Sequence, residues 1–108
     1  MTTITYNRNN LSITATGHAE YDVLGNDIVC ASISVLMYTI GTYAVRLYKG
    51  DKVDVEPITK LDNPFDAEVT IRSPKDENSV RDMLDVFAEV FEDIEMMYPN
   101  HVHYEVYQ

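Results

Sequence analysis

The chain has 108 residues, of which 45% are hydrophobic and 24% are charged, the balance of a folded globular protein rather than of a disordered tail. This length predicts one domain over residues 1–108 with one hydrophobic core. The formal net charge of -10 at pH 7 argues against a nucleic-acid binder, which needs Lys and Arg contacts to phosphates, and favours a basic peptide or protein as partner. An acidic surface that only keeps the protein soluble explains the charge as well.

The sequence also bears on the compartment. No apolar run approaches the length of a bilayer-spanning helix. The first ten residues have neither the basic start nor the apolar centre of a secretory signal. The single cysteine, Cys30, cannot form an internal disulfide, which fits a reducing compartment. We therefore expect a cytoplasmic protein without membrane contact.

The first two elements predicted are strands, at residues 2–8 and 11–17. They are joined by Asn9-Asn10, a dipeptide that tolerates the positive φ angles of a tight turn. In the second strand, apolar residues alternate with Ser and Thr. This period of two indicates a sheet with one buried and one solvated face.

A helix is predicted next, from residue 28 to about residue 44, because apolar residues recur there every three to four positions. Asn26 or Asp27 is expected to cap its start, with a side-chain oxygen accepting a hydrogen bond from a backbone amide. Cys30 then falls in the first turn of this helix.

Two further strands are predicted at residues 53–59 and 65–72, and Pro57 indicates that the first is an edge strand or is bulged. A second helix over residues 78–97 carries an apolar stripe and is closed by Pro99, and the chain ends in a short strand. The order ββαββαβ predicts an α+β fold, a mostly antiparallel sheet with two helices packed on one face.

Cys30 and His18 are the candidate catalytic residues. A cysteine at a helix N-terminus lies near the positive end of the helix dipole and near free amides, which favour the thiolate and should lower the thiol pKa. The same amides can donate to an oxyanion, and a histidine at a strand end can take the thiol proton. Asp27 either caps the helix or orients His18. An inert buried cysteine near a loop histidine explains the spacing alone at least as well.

A metal site is the weaker alternative. His101 and His103 alternate on the last predicted strand and, with Glu105, could chelate an ion, but exposed strand histidines explain the pattern equally well. We therefore expect no metal and no cofactor.

The stretch GHAEYDVLGNDIVCASIS, residues 17–34, resembles the ribosomal-processing cysteine protease family (Prp). Members of this family carry a Gly-His-Ala motif, a glycine-containing loop and an Asp-Ile-Val-Cys-Ala helix start. In this sequence the motif is centred on His18, the loop glycine is Gly25, and the helix start is residues 27–31. Ser34 also stands where the family carries serine.

This resemblance implies a cysteine endopeptidase in which His18 and Cys30 form a catalytic dyad and hydrolysis passes through an acyl-enzyme. The substrate-binding or supporting residues would be Gly17, Gly25, Asp27 and Ser34. The loop of residues 20–26 is expected to move when peptide binds, with Gly25 as its hinge or only as a turn into the helix.

The resemblance further implies a homodimer and, as substrate, the N-terminal extension of a large-subunit ribosomal protein (number twenty-seven). Two alternatives stay open: a phage-type relative that processes a virion or scaffold precursor, and a non-catalytic binding or assembly module of the same fold. In each case the partner is a peptide or protein, and the acidic charge favours a basic one.

Overall fold

The computed structural model describes residues 1–22, 27–63 and 65–108. In chain order the elements are strands β1 (Thr2–Asn7) and β2 (Ser12–Thr16), helix α1 (Ile28–Lys49), strands β3 (Ile58–Lys60) and β4 (Asp66–Thr70), helix α2 (Glu77–Met97) and strand β5 (Val102–Tyr107). Within these residues the strands form one sheet in the order β3-β4-β2-β1-β5. Neighbouring strands are antiparallel except β1 and β5, which are parallel. The predicted element order and the α+β class are confirmed.

One face of the sheet carries the hydrophobic core. The register places Tyr6 of β1 opposite Ile13 of β2, and Ile13 opposite Val69 of β4, so these three buried side chains share a face. Both helices cover that face. Gly41 of α1 faces Val69, and the Tyr6 hydroxyl donates a hydrogen bond to Asp85 of α2 at 2.7 Å. The prediction of two helices on one face is therefore confirmed.

Helix α1 continues past its predicted end near residue 44 and stops at Lys49, with Gly50 as its C-cap. By length and composition it is long enough to cross a bilayer, so the expectation that no apolar run approaches that length is wrong. Its buried residues nevertheless form one stripe that packs in the core: Val29, Ile33, Met37, Ile40, Gly41 and Ala44. Such one-sided burial is typical of a core helix, and the lack of membrane contact stays a prediction.

The strand predicted at residues 53–59 is largely replaced by irregular structure. In this segment Val53 makes only an isolated bridge with Pro74, and β3 is limited to Ile58–Lys60. Pro57 has no amide hydrogen for a ladder, and the strand begins directly after it. β3 lies at the edge of the sheet, as Pro57 indicated.

The turn between β1 and β2 differs from its prediction in one respect. The residue with a positive φ is Leu11, at 53°, rather than Asn9 or Asn10. The Leu11 side chain is 3% exposed, so its burial in the core offsets the cost of the left-handed conformation.

Gly17 directly follows β2 and determines the position of the next residue, His18. Its φ is 87°, and an added Cβ would overlap the carbonyl oxygen of Met1. The Gly17 amide donates to the Phe65 carbonyl at 2.8 Å, and the Gly17 carbonyl accepts from the Thr2 hydroxyl at 3.1 Å. Only glycine meets the conformational and steric demands of this position.

Substitution Gly17→Ala should lower the free energy of unfolding by about 1–3 kcal/mol, because it combines an unfavourable φ with backbone overlap. Chemical denaturation measures the loss. Gly50→Ala is the matched control, since Gly50 has a φ of -87° and an added Cβ would lie 3.1 Å from the Arg46 carbonyl oxygen. Equal losses in the two variants would contradict the special role of Gly17.

Candidate active site

Helix α1 begins at a buried carboxylate. Asp27 is the N-cap, with an extended backbone, and its Oδ1 accepts a hydrogen bond from the Cys30 amide at 2.9 Å. The whole residue is only 5% exposed. The capping alternative for Asp27 is thus present in the structure, and Cys30 lies in the first turn as predicted. Asn26, the other predicted cap, lies outside the described residues.

His18 is oriented by an aromatic neighbour that the sequence pattern did not indicate. Its ring lies on that of Phe65, with centroids 4.8 Å apart and planes inclined by 32°. The Phe65 carbonyl accepts the Gly17 hydrogen bond described above, which fixes Phe65 beside the end of β2. The His18 side chain is 27% exposed, so solvent reaches one side of the imidazole.

The two candidate catalytic side chains lie next to each other. His18 Nδ1 is 3.9 Å from Cys30 Sγ. The same Nδ1 accepts a hydrogen bond from the Glu20 amide at 2.9 Å, and Cys30 Sγ accepts one from the Ala19 amide at 3.4 Å. In this arrangement Nδ1 carries no proton, and its lone pair points at the Glu20 amide rather than at the thiol.

Asp27 also holds the segment that follows His18. Its Oδ2 accepts a hydrogen bond from the Tyr21 amide at 3.0 Å and lies 3.9 Å from His18 Nδ1. The residue before Tyr21, Glu20, has a left-handed φ of 58°, which is unfavourable for a non-glycine residue. One carboxylate thus connects the helix start to a strained turn beside the imidazole.

The pKa of the Cys30 thiol is raised, so the lower pKa predicted from the helix terminus is wrong for this conformation. Burial of the thiol is the largest cause, and the Asp27 carboxylate adds to it, whereas the Ala19 amide acts in the opposite direction. The backbone amide of Cys30, which faces the helix start, is bound to Asp27 instead of being available to an anion. The resting site therefore favours the neutral thiol.

The pKa of Asp27 moves the other way. Burial disfavours the charged carboxylate, but hydrogen bonds from the Cys30, Tyr21 and Asp22 amides outweigh burial and bring the pKa below its usual value of 3.8. Asp27 is therefore a fixed negative charge at neutral pH. It disfavours a thiolate at Cys30.

The same three side chains are also the ones that could hold a metal ion. Within the described ranges, one donor atom each from His18, Asp27 and Cys30 lie within 4.8 Å of one another. The predicted chelate of His101, His103 and Glu105 is not formed there, because His101 Nδ1 lies 2.9 Å from the Ala19 carbonyl oxygen and His103 pairs with Glu95. All three donors of the first group already accept backbone hydrogen bonds, and the expectation of no bound metal stays a prediction.

The remaining predicted site residues differ in what the structure shows. Ser34 lies one helical turn after Cys30 and lines a cavity of about 80 Å³ with Ala15, Ile33 and Met37 among others. It does not contact the Cys30–His18 pair through any described hydrogen bond. Gly25, the predicted hinge, lies outside the described residues, as does most of the predicted mobile loop.

The comparison with protein families decides which kind of protein carries this arrangement. Residues 1–103 match the family model for cysteine protease Prp. The chain belongs to the cysteine protease Prp family. It is therefore a cysteine protease, as the resemblance of residues 17–34 implied, and its Prp-family match extends well beyond that stretch. The search of curated proteins found no match.

Solved structures share the Prp fold. The essential ribosomal processing protease Prp from S. aureus, in complex with a covalently linked product peptide, has a TM-score of 0.76 at 19% identity, covering 99% of this chain and 100% of that chain. The same protease with a substrate peptide has a TM-score of 0.61 at 18% identity, covering 99% and 100%. SMU.848 from Streptococcus mutans has a TM-score of 0.66 at 18% identity, covering 97% and 90%. At these identities the likeness shows the fold alone.

Substitution Asp27→Asn should lower the pKa of the Cys30 thiol, because the negative charge that disfavours the thiolate is removed from an almost isosteric side chain. The rate of Cys30 alkylation as a function of pH measures this pKa. Asp76→Asn is the matched control, since Asp76 caps α2 by accepting from the Ser79 amide at 3.1 Å and does not act on Cys30. An unchanged Cys30 pKa in Asp27→Asn would contradict the electrostatic account.

The same variant should lose about 1–2 kcal/mol of unfolding free energy at neutral pH, since charge-assisted amide bonds are replaced by weaker ones. The folded-state pKa of Asp27 lies below its unfolded value, so this stabilisation is present above about pH 4 and disappears as the pH falls through the folded pKa. Denaturation of wild type and variant at several pH values measures the difference. If the difference in unfolding free energy between wild type and variant increased towards low pH, it would contradict the lowered pKa of Asp27.

Proposed function

We propose that this cysteine protease removes the N-terminal extension of a large-subunit ribosomal protein, with Cys30 as nucleophile and His18 as its base. The observation that supports this most directly is the placement of Cys30 Sγ 3.9 Å from His18 Nδ1, on motif residues of a chain in the Prp family. The S. aureus relative is a ribosomal processing protease with a covalently linked product peptide, which is the kind of adduct that a cysteine nucleophile forms.

The reaction would begin with transfer of the thiol proton from Cys30 to His18 Nδ1. The sulfur attacks the scissile carbonyl, the tetrahedral intermediate collapses, and the proton passes from the imidazole to the leaving amine. Water then attacks the thioester, His18 takes one of its protons, and the new carboxylic acid leaves as Cys30 recovers its hydrogen. The Asp27 carboxylate, 3.9 Å from Nδ1, stabilises the imidazolium that exists between these steps.

The resting arrangement would have to change before the first step. His18 Nδ1 must release the Glu20 amide before it can accept the thiol proton. Release of this bond also permits the left-handed Glu20 to relax, which reduces the cost of the change. A substrate peptide that turns the Glu20 amide away from Nδ1 would thus activate the base. The raised pKa of Cys30 keeps the free enzyme in its neutral thiol form.

The test is cleavage of the ribosomal protein carrying its N-terminal extension. Cys30→Ala and His18→Ala should each reduce kcat/KM about a thousandfold or more, because each removes a group that acts in every turnover. His103→Ala is the control for histidine removal, since His103 is exposed and faces Glu95. Circular dichroism and thermal unfolding establish that the variants fold.

Cleavage retained by Cys30→Ala would contradict the proposed nucleophile. If wild-type protein cleaves a virion or scaffold precursor but not the ribosomal extension, the proposed substrate is wrong and the proposed dyad stands.

The formal charge of -10 supports a basic extension as substrate, so the rate of cleavage should fall as salt screens the attraction. A cytoplasmic location is part of the same proposal.

A homodimer is the proposed assembly, and the exposed apolar surface of the helices supports it. Val35 of α1 and Val90 of α2 line one apolar depression between the helices and are 65% and 39% exposed. Val35→Asp should shift the protein to monomer in sedimentation equilibrium, because it places a charge in a surface that would be buried. Lys60→Asp, an exposed change on edge strand β3, is the control. A monomeric wild type would overturn the proposed dimer.

A further inference from the structure

A second histidine reaches the site from the opposite end of the chain. His101 precedes β5, and its backbone is fixed on both sides: its amide donates to the Tyr98 carbonyl at 3.0 Å, and its carbonyl accepts from the Thr2 amide at 2.9 Å. Tyr98 in turn caps α2 through the Ile94 carbonyl at 2.9 Å. Hydrogen bonds to the end of α2 and to the start of β1 therefore hold the His101 backbone in place.

The His101 side chain contacts the backbone beside the proposed catalytic pair. Its Nδ1 lies 2.9 Å from the carbonyl oxygen of Ala19. A carbonyl oxygen only accepts, so Nδ1 must carry the proton and donate it. Ala19 is 1% exposed, so without this bond its carbonyl would lose a partner in a buried place.

The other end of Ala19 faces the nucleophile. The Ala19 amide donates to Cys30 Sγ at 3.4 Å and lowers the pKa of that thiol, against the larger effect of burial. The next residue is Glu20, whose left-handed φ would relax if the segment were released. Asp27 holds the far side of Glu20 through the Tyr21 amide, and His101 holds the near side through the Ala19 carbonyl.

We propose that His101 is a positioning residue of the protease, which holds Ala19 by its carbonyl so that the Ala19 amide points at the sulfur of Cys30. The inference rests on the proposed role of Cys30 as nucleophile. When the thiolate forms, the Ala19 amide is a donor already in place, and a donor that need not reorganise stabilises developing charge more effectively than one that must. His101 acts on the reaction only through Ala19.

A purely structural role makes a different prediction, because His101 also packs through its ring. Tyr21 meets the His101 ring edge-on at a centroid distance of 5.3 Å and the Tyr98 ring at the same distance. If His101 served only this aromatic cluster, a phenylalanine would replace it well and an asparagine would not. If the Nδ1 donor is what matters, the order reverses, since an asparagine amide can donate from nearly the Nδ1 position.

The experiment compares His101→Phe, His101→Asn and His103→Phe with wild type. Alkylation of Cys30 over a pH series gives the thiol pKa without any substrate, and cleavage of the extended ribosomal protein gives kcat and KM. The other groups that act on the thiol are retained in all variants: Asp27, the N-terminal ammonium, and His18 at 3.9 Å. Thermal unfolding is recorded for each variant.

We expect His101→Phe to raise the apparent pKa of Cys30 by about one unit, which corresponds to about tenfold slower alkylation below that pKa. It should lower kcat about tenfold with little change in KM, because the donor acts on the charged sulfur rather than on substrate binding. His101→Asn should restore both values to within about threefold of wild type, and His103→Phe should match wild type. Impairment in His101→Asn but not in His101→Phe would overturn the proposal in favour of ring packing.

Two further outcomes separate this inference from the proposed substrate. If wild type fails to cleave the ribosomal protein but the alkylation series shows the expected order, the substrate is wrong and the positioning role stands. The ¹⁵N shifts of the His101 ring provide a test that needs no variant: a proton on Nδ1 at neutral pH supports the bond to Ala19, whereas the tautomer with its proton only on Nε2 excludes it.

Discussion

The buried carboxylate of Asp27 is the interaction on which the rest of the site depends. One carboxylate oxygen caps helix α1 by accepting from the Cys30 amide, and the other accepts from the Tyr21 amide. A charge that is 95% removed from solvent is costly unless donors surround it, and backbone amides supply those donors here. Because the amides belong to the helix start and to the turn after His18, satisfying one charge brings the two proposed catalytic residues together.

The buried Asp27 carboxylate also affects the ionisation of Cys30. Burial raises the pKa of the Cys30 thiol most, and the Asp27 charge that stabilises the fold adds to this effect because the ionised thiol is also negative. The same charge lies 3.9 Å from His18 Nδ1. Fold stability therefore favours the charged Asp27, whereas thiolate formation in the free enzyme is disfavoured by it. Within the proposed mechanism, proton transfer coupled to substrate binding resolves this conflict, because the sulfur passes its charge to the substrate as it attacks.

Much of the architecture follows from local patterns, and the exceptions have tertiary causes. The periodicity of residues 28–44 and the polar residue before it gave the helix, its start and the first-turn position of Cys30, since capping is a local interaction. The parallel pairing of β5 with β1 depends on where α2 returns the chain, which no local pattern records. The thiol pKa was mispredicted because the helix-dipole argument omits burial and the capping carboxylate. Phe65 and His101 join the site from distant segments and carry no motif that marks them.

The turn at Glu20 shows how these contributions combine. A left-handed glutamate costs about 1 kcal/mol or more and persists only where its surroundings hold it. Here the holding bonds are to Ala19 from His101 and to Tyr21 from Asp27, one on each side. The amide of this strained residue donates to His18 Nδ1. The hydrogen bond that the proposed mechanism must break is therefore made by the residue whose backbone is strained. Because both flanking anchors remain when that single bond opens, the base can be released without unfolding the helix start or losing the Ala19 donor from the sulfur.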